Sequence, residues 1–238
     1  RWAREQGKSE FQGHNAGAEN AVKIGRWLRE LGVHTLTSWG FSTENWSRSD
    51  EEVRKILEIT QGQIQRHGDR FTSQNIRFRH IGRRDRLPTD LVRLIEDLET
   101  RTAQNSGKIL CLGLDYGGVD EAERAFQKAS AGLIQRDSFR DFLDTANLPN
   151  VDLIIRTAGE MRTSGMMPYL SVYAEFVSSP VLFPDFDKKE LFRCLEEYSK
   201  SQRRFGTRAE SSSREPYDWL KLKRPSLTGY METLSPYL

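Results

Sequence analysis

A chain of 238 residues, 37% hydrophobic and 29% charged, can hold one large domain or two small ones with a sizeable core. Its formal net charge of +2 gives no bulk electrostatic case for nucleic-acid binding. No apolar run approaches the ~20 residues of a membrane span, and no signal peptide opens the chain. Two distant cysteines in apolar segments, Cys111 and Cys194, argue for buried thiols in a reducing cytosol rather than a disulfide framework or zinc site.

Residues 13–31 have helical spacing, with Ala18, Ala21, Val22, Gly25, Leu28 and Leu31 on one face and Gly32 as the stop. A buried strand is expected at 33–41. A helix at 50–67 opens on the capping box Ser49-Asp50-Glu51-Glu52 and carries Val53, Ile56, Leu57, Ile59 and Ile64. The alternation at 76–81 reads as a strand near a sheet edge. Pro88 opens a helix with Leu91, Leu94, Ile95 and Leu98 inward. The continuous apolar run 109–114 reads as a strand buried on both faces. Tyr116-Gly117-Gly118 ends it, and a helix follows at 120–136. A short helix at 138–145, strands at 151–155 and 172–178 and a helix at 187–203 complete the series. Strands alternating with helices predict an α/β fold with a mainly parallel sheet. After Gly206 the composition turns to Ser211-Ser212-Ser213 and then Pro216, Pro225 and Pro236, so 207–238 reads as an appendage.

Two clusters carry chemistry. Phe41-Ser42-Thr43-Glu44-Asn45-Trp46-Ser47-Arg48 sits where a strand ends and a helix begins, the place where ligands bind on α/β sheets. Its hydroxyls, carboxylate, amide, indole and guanidinium exceed what a turn requires, and suit an anionic substrate with a polar group left to steer a proton. Arg156-Thr157-Ala158-Gly159-Glu160-Met161-Arg162-Thr163-Ser164-Gly165 follows another buried strand. Its arginines suit bidentate phosphate contacts, and its small residues let backbone N–H groups reach an anion. The plainer reading is a surface loop in which the arginines pair with Glu160 and Asp152. Glu175, inside an apolar segment, calls for a salt-bridge partner or a Mg²⁺ shared with a diphosphate. His14, at a helix start, is either a phosphate donor or a cap.

In chain order, Arg1-Trp2-Ala3, Gly13-His14-x-x-Gly17, Phe41-Ser42-Thr43-Glu44-Asn45-Trp46-x-Arg48, Tyr116-Gly117-Gly118, Arg156-Thr157-x-Gly159-Glu160-x-Arg162-x-Ser164, Tyr173-Ala174-Glu175, Phe183-Pro184-Asp185-Phe186 and Arg203-Arg204-Phe205-Gly206 resemble the cis-prenyltransferase family, of the undecaprenyl diphosphate synthase type. The resemblance covers residues 1–206. It implies a parallel sheet ringed by helices with an elongated apolar tunnel. It implies a Mg²⁺-dependent transferase that condenses isopentenyl diphosphate with an allylic diphosphate into Z-prenyl chains, a polyprenyl diphosphate carrier-lipid precursor being the expected product. A cytoplasmic homodimer, in peripheral contact with the membrane, goes with it. Two alternatives stand beside this: a short-chain or irregular prenyl diphosphate synthase, and a non-catalytic subunit of a two-component enzyme.

Roles follow from the resemblance position by position. Ser42 and Asn45 match the pair that handles the proton, with Glu44 beside them. Arg1, Trp2 and His14 match the allylic diphosphate site. Thr43, Trp46 and Arg48 match substrate-contacting positions. Arg156, Arg162 and Ser164 match the isopentenyl diphosphate cradle, and Glu175 a metal-associated carboxylate. The family's Asp-Gly-Asn element, whose Asp is the central metal ligand, and its first strand are expected immediately before Arg1. Departures lie at Glu10 and Val119, where many relatives carry Arg, and at Pro168-Tyr169-Leu170. Side-chain bulk along the tunnel would set product length, with Trp39 and the helix 50–67 as candidate walls.

Overall fold

Side-chain caps, rather than apolar spacing, set where the two longest helices begin. The computed structural model describes residues 1–131 and 138–201. Arg203-Arg204-Phe205-Gly206 and the appendage at 207–238 lie outside the described residues, whereas the helix expected to reach 136 ends within them, at Ser130, with Ala131 as its C-cap. After a short helix α1 (Trp2–Glu5), α2 (Glu10–Glu30) starts ahead of the expected 13. Ser9 and Gln12 form the capping box that moves it: the Gln12 N–H donates to Ser9 Oγ at 3.3 Å, and the Ser9 N–H to Gln12 Oε1 at 2.9 Å. Ser49 caps α3 (Asp50–Ser73), accepting the Glu52 N–H at 3.3 Å. That helix outruns its expected end at 67 because it stays packed on α4 (Thr89–Thr102): a Cβ on Gly68 would lie 3.6 Å from Leu98.

The central sheet is parallel, in the order β1 (Thr35–Ser42), β3 (Lys108–Tyr116), β2 (Ile76–Ile81). The alternating segment 76–81 is at the edge, and the continuous apolar one is in the middle. A second parallel pair joins β4 (Leu153–Arg156) to β5 (Glu175–Ser178). Helix α5 (Gly118–Ser130) follows β3, and α6 (Lys188–Lys200) follows β5. The expected helix at 138–145 is a 3-10 turn, Phe139–Phe142. The strand expected from 172 begins only at Glu175, because the Ala174 N–H turns back to the Ser171 carbonyl at 2.9 Å.

One face of the sheet packs Phe41, Phe78 and Leu114 against Val53, Ile56, Leu57 and Ile64 of α3 and Leu91, Ile95 and Leu98 of α4. Each such side chain contributes about 1.5–3 kcal/mol relative to exposure. The other face gathers Ile81, Cys111 and Tyr116 with Leu148, Met167 and Leu170, and Trp39 packs there. A bulge between Trp39 and Phe41 sends these two rings to opposite faces. Trp39 and α3 therefore cannot share a wall. The indole donates instead to the Tyr116 carbonyl at 3.1 Å, so Trp39 is a sheet-core aromatic.

A third cluster joins Leu28 of α2 to Val177 of β5 and to Leu191 and Cys194 of α6. α2 and α3 run parallel, tied at their starts by His14 and Glu52 and at their ends by Arg29 and Gln74. β1 is less buried than its composition suggests. Only Phe41 is fully covered, while Leu36, Thr37, Ser38 and Trp39 are half-buried. β1 ends the sheet's strand order, and α2 presents small residues alongside it.

Candidate active site

The carboxyl ends of β1 and β3 are neighbours, and glycines let the loops beyond them close up. A Cβ on Gly117 would lie 2.2 Å from Thr43 Oγ1, and one on Gly118 would lie 2.2 Å from Pro168 Cδ and 2.4 Å from the Gly165 carbonyl. The Gly118 N–H donates to that carbonyl at 3.1 Å. The Tyr-Gly-Gly element is thus the junction of the two polar clusters rather than a simple turn.

At the end of β1 the chain enters a 3-10 turn, Thr43–Ser47. Asn45 Oδ1 accepts the Ser42 N–H at 3.0 Å, which fixes the amide plane and leaves its NH₂ for a ligand. Burial pushes the Glu44 carboxyl up, but hydrogen bonds from its own backbone and from the Ser42 and Thr43 hydroxyls prevail and hold it below the ordinary value. Glu44 is therefore an ionised acceptor at neutral pH rather than a proton donor. The Trp46 indole donates to Asp115 Oδ1 at 2.8 Å, and its ring meets Phe41 edge-on at 5.3 Å. Arg86 lies over that ring, 5.4 Å from the centroid, and its Nε donates to Asp115 Oδ2 at 2.9 Å.

Sequence reasoning misses Asp115 and Arg86. The available signal was a carboxylate closing the apolar run of β3, which needs a partner, and Asp115 is 0% exposed.

Two carboxylates gather the expected basic side chains. Glu52 Oε1 lies 3.2 Å from His14 Nε2 and accepts from Arg48 Nη1 at 2.9 Å. Glu160 accepts from Arg1 Nη2 at 2.5 Å and also from Arg162. The hydrogen bond from Arg1 outweighs slight burial and, helped by Arg162, lowers the Glu160 pKa. α1 reaches this loop because it rests on α2: a Cβ on Gly13 would lie 2.9 Å from Ala3 Cβ. Lys8 covers the Trp2 ring at 4.5 Å. Arg156 ends β4 and carries no ion pair among the described residues. Ser164 and Gly165 are left-handed, at φ 52° and 83°, as are Ala158 and Gly159. The structure thus brings His14, Arg48, Ser42, Thr43, Glu44, Asn45 and Trp46 together at one end of β1. Beyond β4 it brings Arg1 and Arg162 together on Glu160, with Arg156 at the end of that strand and Ser164 farther along the same loop.

The family described as "Putative undecaprenyl diphosphate synthase" matches residues 1–206. The isoprenyl transferase of Aquifex aeolicus is 40% identical over 209 residues, spanning 87% of this chain and 90% of that protein. This chain belongs to that family. The isoprenyl transferase of Thermotoga maritima is 35% identical over 213 residues, 87% of this chain and 91% of its own. Among solved structures, lavandulyl diphosphate synthase from Lavandula x intermedia, in complex with dimethylallyl diphosphate, aligns at a TM-score of 0.82 with 32% identity. That alignment covers 87% of this chain and 93% of the other. A probable undecaprenyl diphosphate synthase from Campylobacter jejuni aligns at 0.72 with 28% identity, over 81% and 92%.

In this cis-prenyltransferase Glu175 stands apart from the other expected residues. It opens β5 in register with Leu153, and its N–H donates to the Asp152 carbonyl at 2.9 Å. Arg156 pairs with Ser178 at the other end of the same two strands, roughly 10 Å away at about 3.3 Å per residue. Among the described residues no group of three His, Cys, Asp or Glu side chains could hold a metal ion. The described side chains therefore do not by themselves form a cage of three such ligands for Mg²⁺. Of the departures, Glu10 is exposed at the start of α2, Val119 is 70% exposed, and Pro168 is the residue packed on Gly118.

Proposed function

We propose that this enzyme condenses isopentenyl diphosphate with an allylic diphosphate and extends a Z-prenyl chain, yielding a polyprenyl diphosphate carrier-lipid precursor. The observation that carries the reading is the set of basic side chains gathered beside the polar turn: His14 and Arg48 on Glu52, Arg1 and Arg162 on Glu160, and Arg156 at the end of β4.

In the reaction the allylic C–O bond breaks and the freed carbon bonds the terminal alkene carbon of isopentenyl diphosphate. A proton then leaves to form the new double bond. Guanidinium groups stabilise the charge that develops on the departing diphosphate. Asn45 is an amide and takes no proton. With its oxygen held by Ser42, its NH₂ orients a diphosphate oxygen, and that oxygen is the proton's acceptor. When bound, Mg²⁺ would supply Lewis acidity toward the departing diphosphate, and Glu175 is the carboxylate that the resemblance offers to hold it. A homodimer in peripheral contact with the cytoplasmic membrane face belongs to the same reading.

A second reading, a short-chain or irregular synthase, is favoured by the higher structural similarity to lavandulyl diphosphate synthase. Incubating the full-length protein with labelled isopentenyl diphosphate, a series of allylic diphosphates and Mg²⁺, then separating products by length, tests both. Elongated linear products are expected. A short or branched product favours the second reading, and no condensation with any donor overturns the proposal.

A further inference from the structure

Successive residues of a strand point to opposite faces, so residues two apart share one. Leu114 and Tyr116 of β3 do not. Leu114 packs with Phe41 and Phe78, whereas Tyr116 packs with Ile81 and Cys111. The break lies at Asp115. Its φ is 53°, and the pairing with β1 passes from Phe41 with Leu114 to Ser42 with Tyr116, leaving Asp115 without a partner in that strand. Such a bulge re-aims a side chain. Here it turns a fully buried carboxylate toward the polar turn, where Oδ1 accepts the Trp46 indole N–H at 2.8 Å.

The segment after β2 holds Asp115 at two points. The Arg83 N–H donates to its carbonyl at 3.0 Å, and Arg86 Nε and Nη2 donate to its carboxylate oxygens. Gly82 permits the approach: its φ is 115°, and a Cβ there would lie 2.7 Å from the Asp115 carbonyl oxygen. The turn's own side-chain bonds are local. Asn45 Oδ1 accepts from Ser42, and Ser47 Oγ donates to the Glu44 carbonyl at 2.8 Å. They fix the shape of the turn, not its place over the sheet. Trp46 ties the turn to β3, 69 residues along the chain.

We infer that Asp115 is a positioning residue for the condensation: clamped by Arg86, it sets the place of Trp46 and so of the turn that carries Asn45. The inference rests on the proposed condensation of isopentenyl diphosphate with an allylic diphosphate. A buried ion pair kept for stability alone has an apolar equivalent of similar worth. A carboxylate re-aimed by a left-handed residue onto a polar turn is what positioning requires. Asn45 directly precedes Trp46, so a shift of the indole carries the amide with it. An error of about 1 Å in such a group can cost about 100-fold in rate.

Steady-state kinetics of the full-length protein with labelled isopentenyl diphosphate test this, at a temperature well below each variant's melting point. Trp46→Phe keeps a ring against Phe41 and removes the N–H. Asp115→Gly keeps the left-handed backbone and removes the acceptor. Each should lower kcat by about tenfold or more while KM for both diphosphates stays within about twofold, because Arg1 and Arg162 rest on Glu160 instead. The double variant should lose no more than the worse single one, since both act through one bond. Asp115→Asn, which keeps an oxygen for the indole, should recover part of the loss. A Trp46→Phe enzyme with wild-type kcat overturns the inference, whether or not Asp115→Gly folds. Losses that multiply in the double variant overturn it too, since Asp115 then acts independently of Trp46. A wild type that condenses nothing with any allylic donor overturns the functional reading itself.

Discussion

Replacing either partner of the Asp115–Arg86 pair should destabilise the fold unequally, and burial decides the order. Asp115 is 0% exposed, whereas the Arg86 side chain is 38% exposed. Asp115→Asn is the clean probe of charge, because position 115 has φ 53°, a conformation Asn tolerates. It weakens two charge-assisted hydrogen bonds from Arg86, but the guanidinium can turn to water. The expected cost is about 1.5–3 kcal/mol. Arg86→Met does the reverse. It leaves a buried carboxylate with only the Trp46 indole as a side-chain donor, at an expected cost of about 3–5 kcal/mol. The double variant should cost less than the sum of the two, because the uncompensated charge is gone. Equilibrium unfolding in urea on all four proteins gives the cycle. The reasoning is refuted if Asp115→Asn is the more damaging change, or if the two costs simply add.

Three further outcomes are expected. Gly117→Ala should cost about 1–3 kcal/mol through overpacking on Thr43 Oγ1, and Thr43→Ala should recover part of it, since the Thr43 Cβ would lie 3.4 Å from the added methyl. Thermal melts of both variants and their combination decide that. Glu160→Gln should leave the melting temperature unchanged but alter KM for the diphosphate substrates and its salt dependence, because Arg1 and Arg162 lose their shared carboxylate. His80 is buried, donates Nε2–H to the Leu114 carbonyl at 2.9 Å, and has its pKa lowered by that burial, with Arg84 adding to the shift. A lowered folded-state value means the unfolded chain binds the proton first. Stability should therefore be full above about pH 6.5 and fall as pH drops below it, by at most about 1.4 kcal/mol per pH unit from this group. His80→Gln should flatten that slope in pH-dependent denaturation, and an unaltered slope would exclude His80 as its source.

The fold was readable from the chain where one signal dominated. Continuous apolar residues marked β3 as central, and alternation marked β2 as an edge. Boundaries went astray where a local cap or a tertiary contact decided: Ser9 and Gln12 moved the start of α2, and Gly68 against Leu98 carried α3 onward. The bulge after Trp39 has no marker in residue type beyond Gly40, so the face that Trp39 takes required three dimensions. The polar turn and the arginine-rich loop were legible because their residue types exceed what turns need. Asp115 and Arg86 were not, because their roles depend on a contact between segments far apart in sequence. Nor was the register that sets Glu175 and Arg156 at opposite ends of the β4–β5 pair.

Glu52 and Glu160 each hold two basic side chains: His14 and Arg48, and Arg1 and Arg162. These carboxylates act as resident counter-ions. They keep long side chains parked in one orientation, which lowers the ordering entropy that a ligand would otherwise have to offset. They also set a threshold. An anion entering here displaces a carboxylate from its partners, so a singly charged intruder gains nothing by the exchange. A diphosphate brings several charges and many acceptor oxygens and can hold both side chains at once. Discrimination against the small anions of the cell thus follows from these two carboxylates themselves.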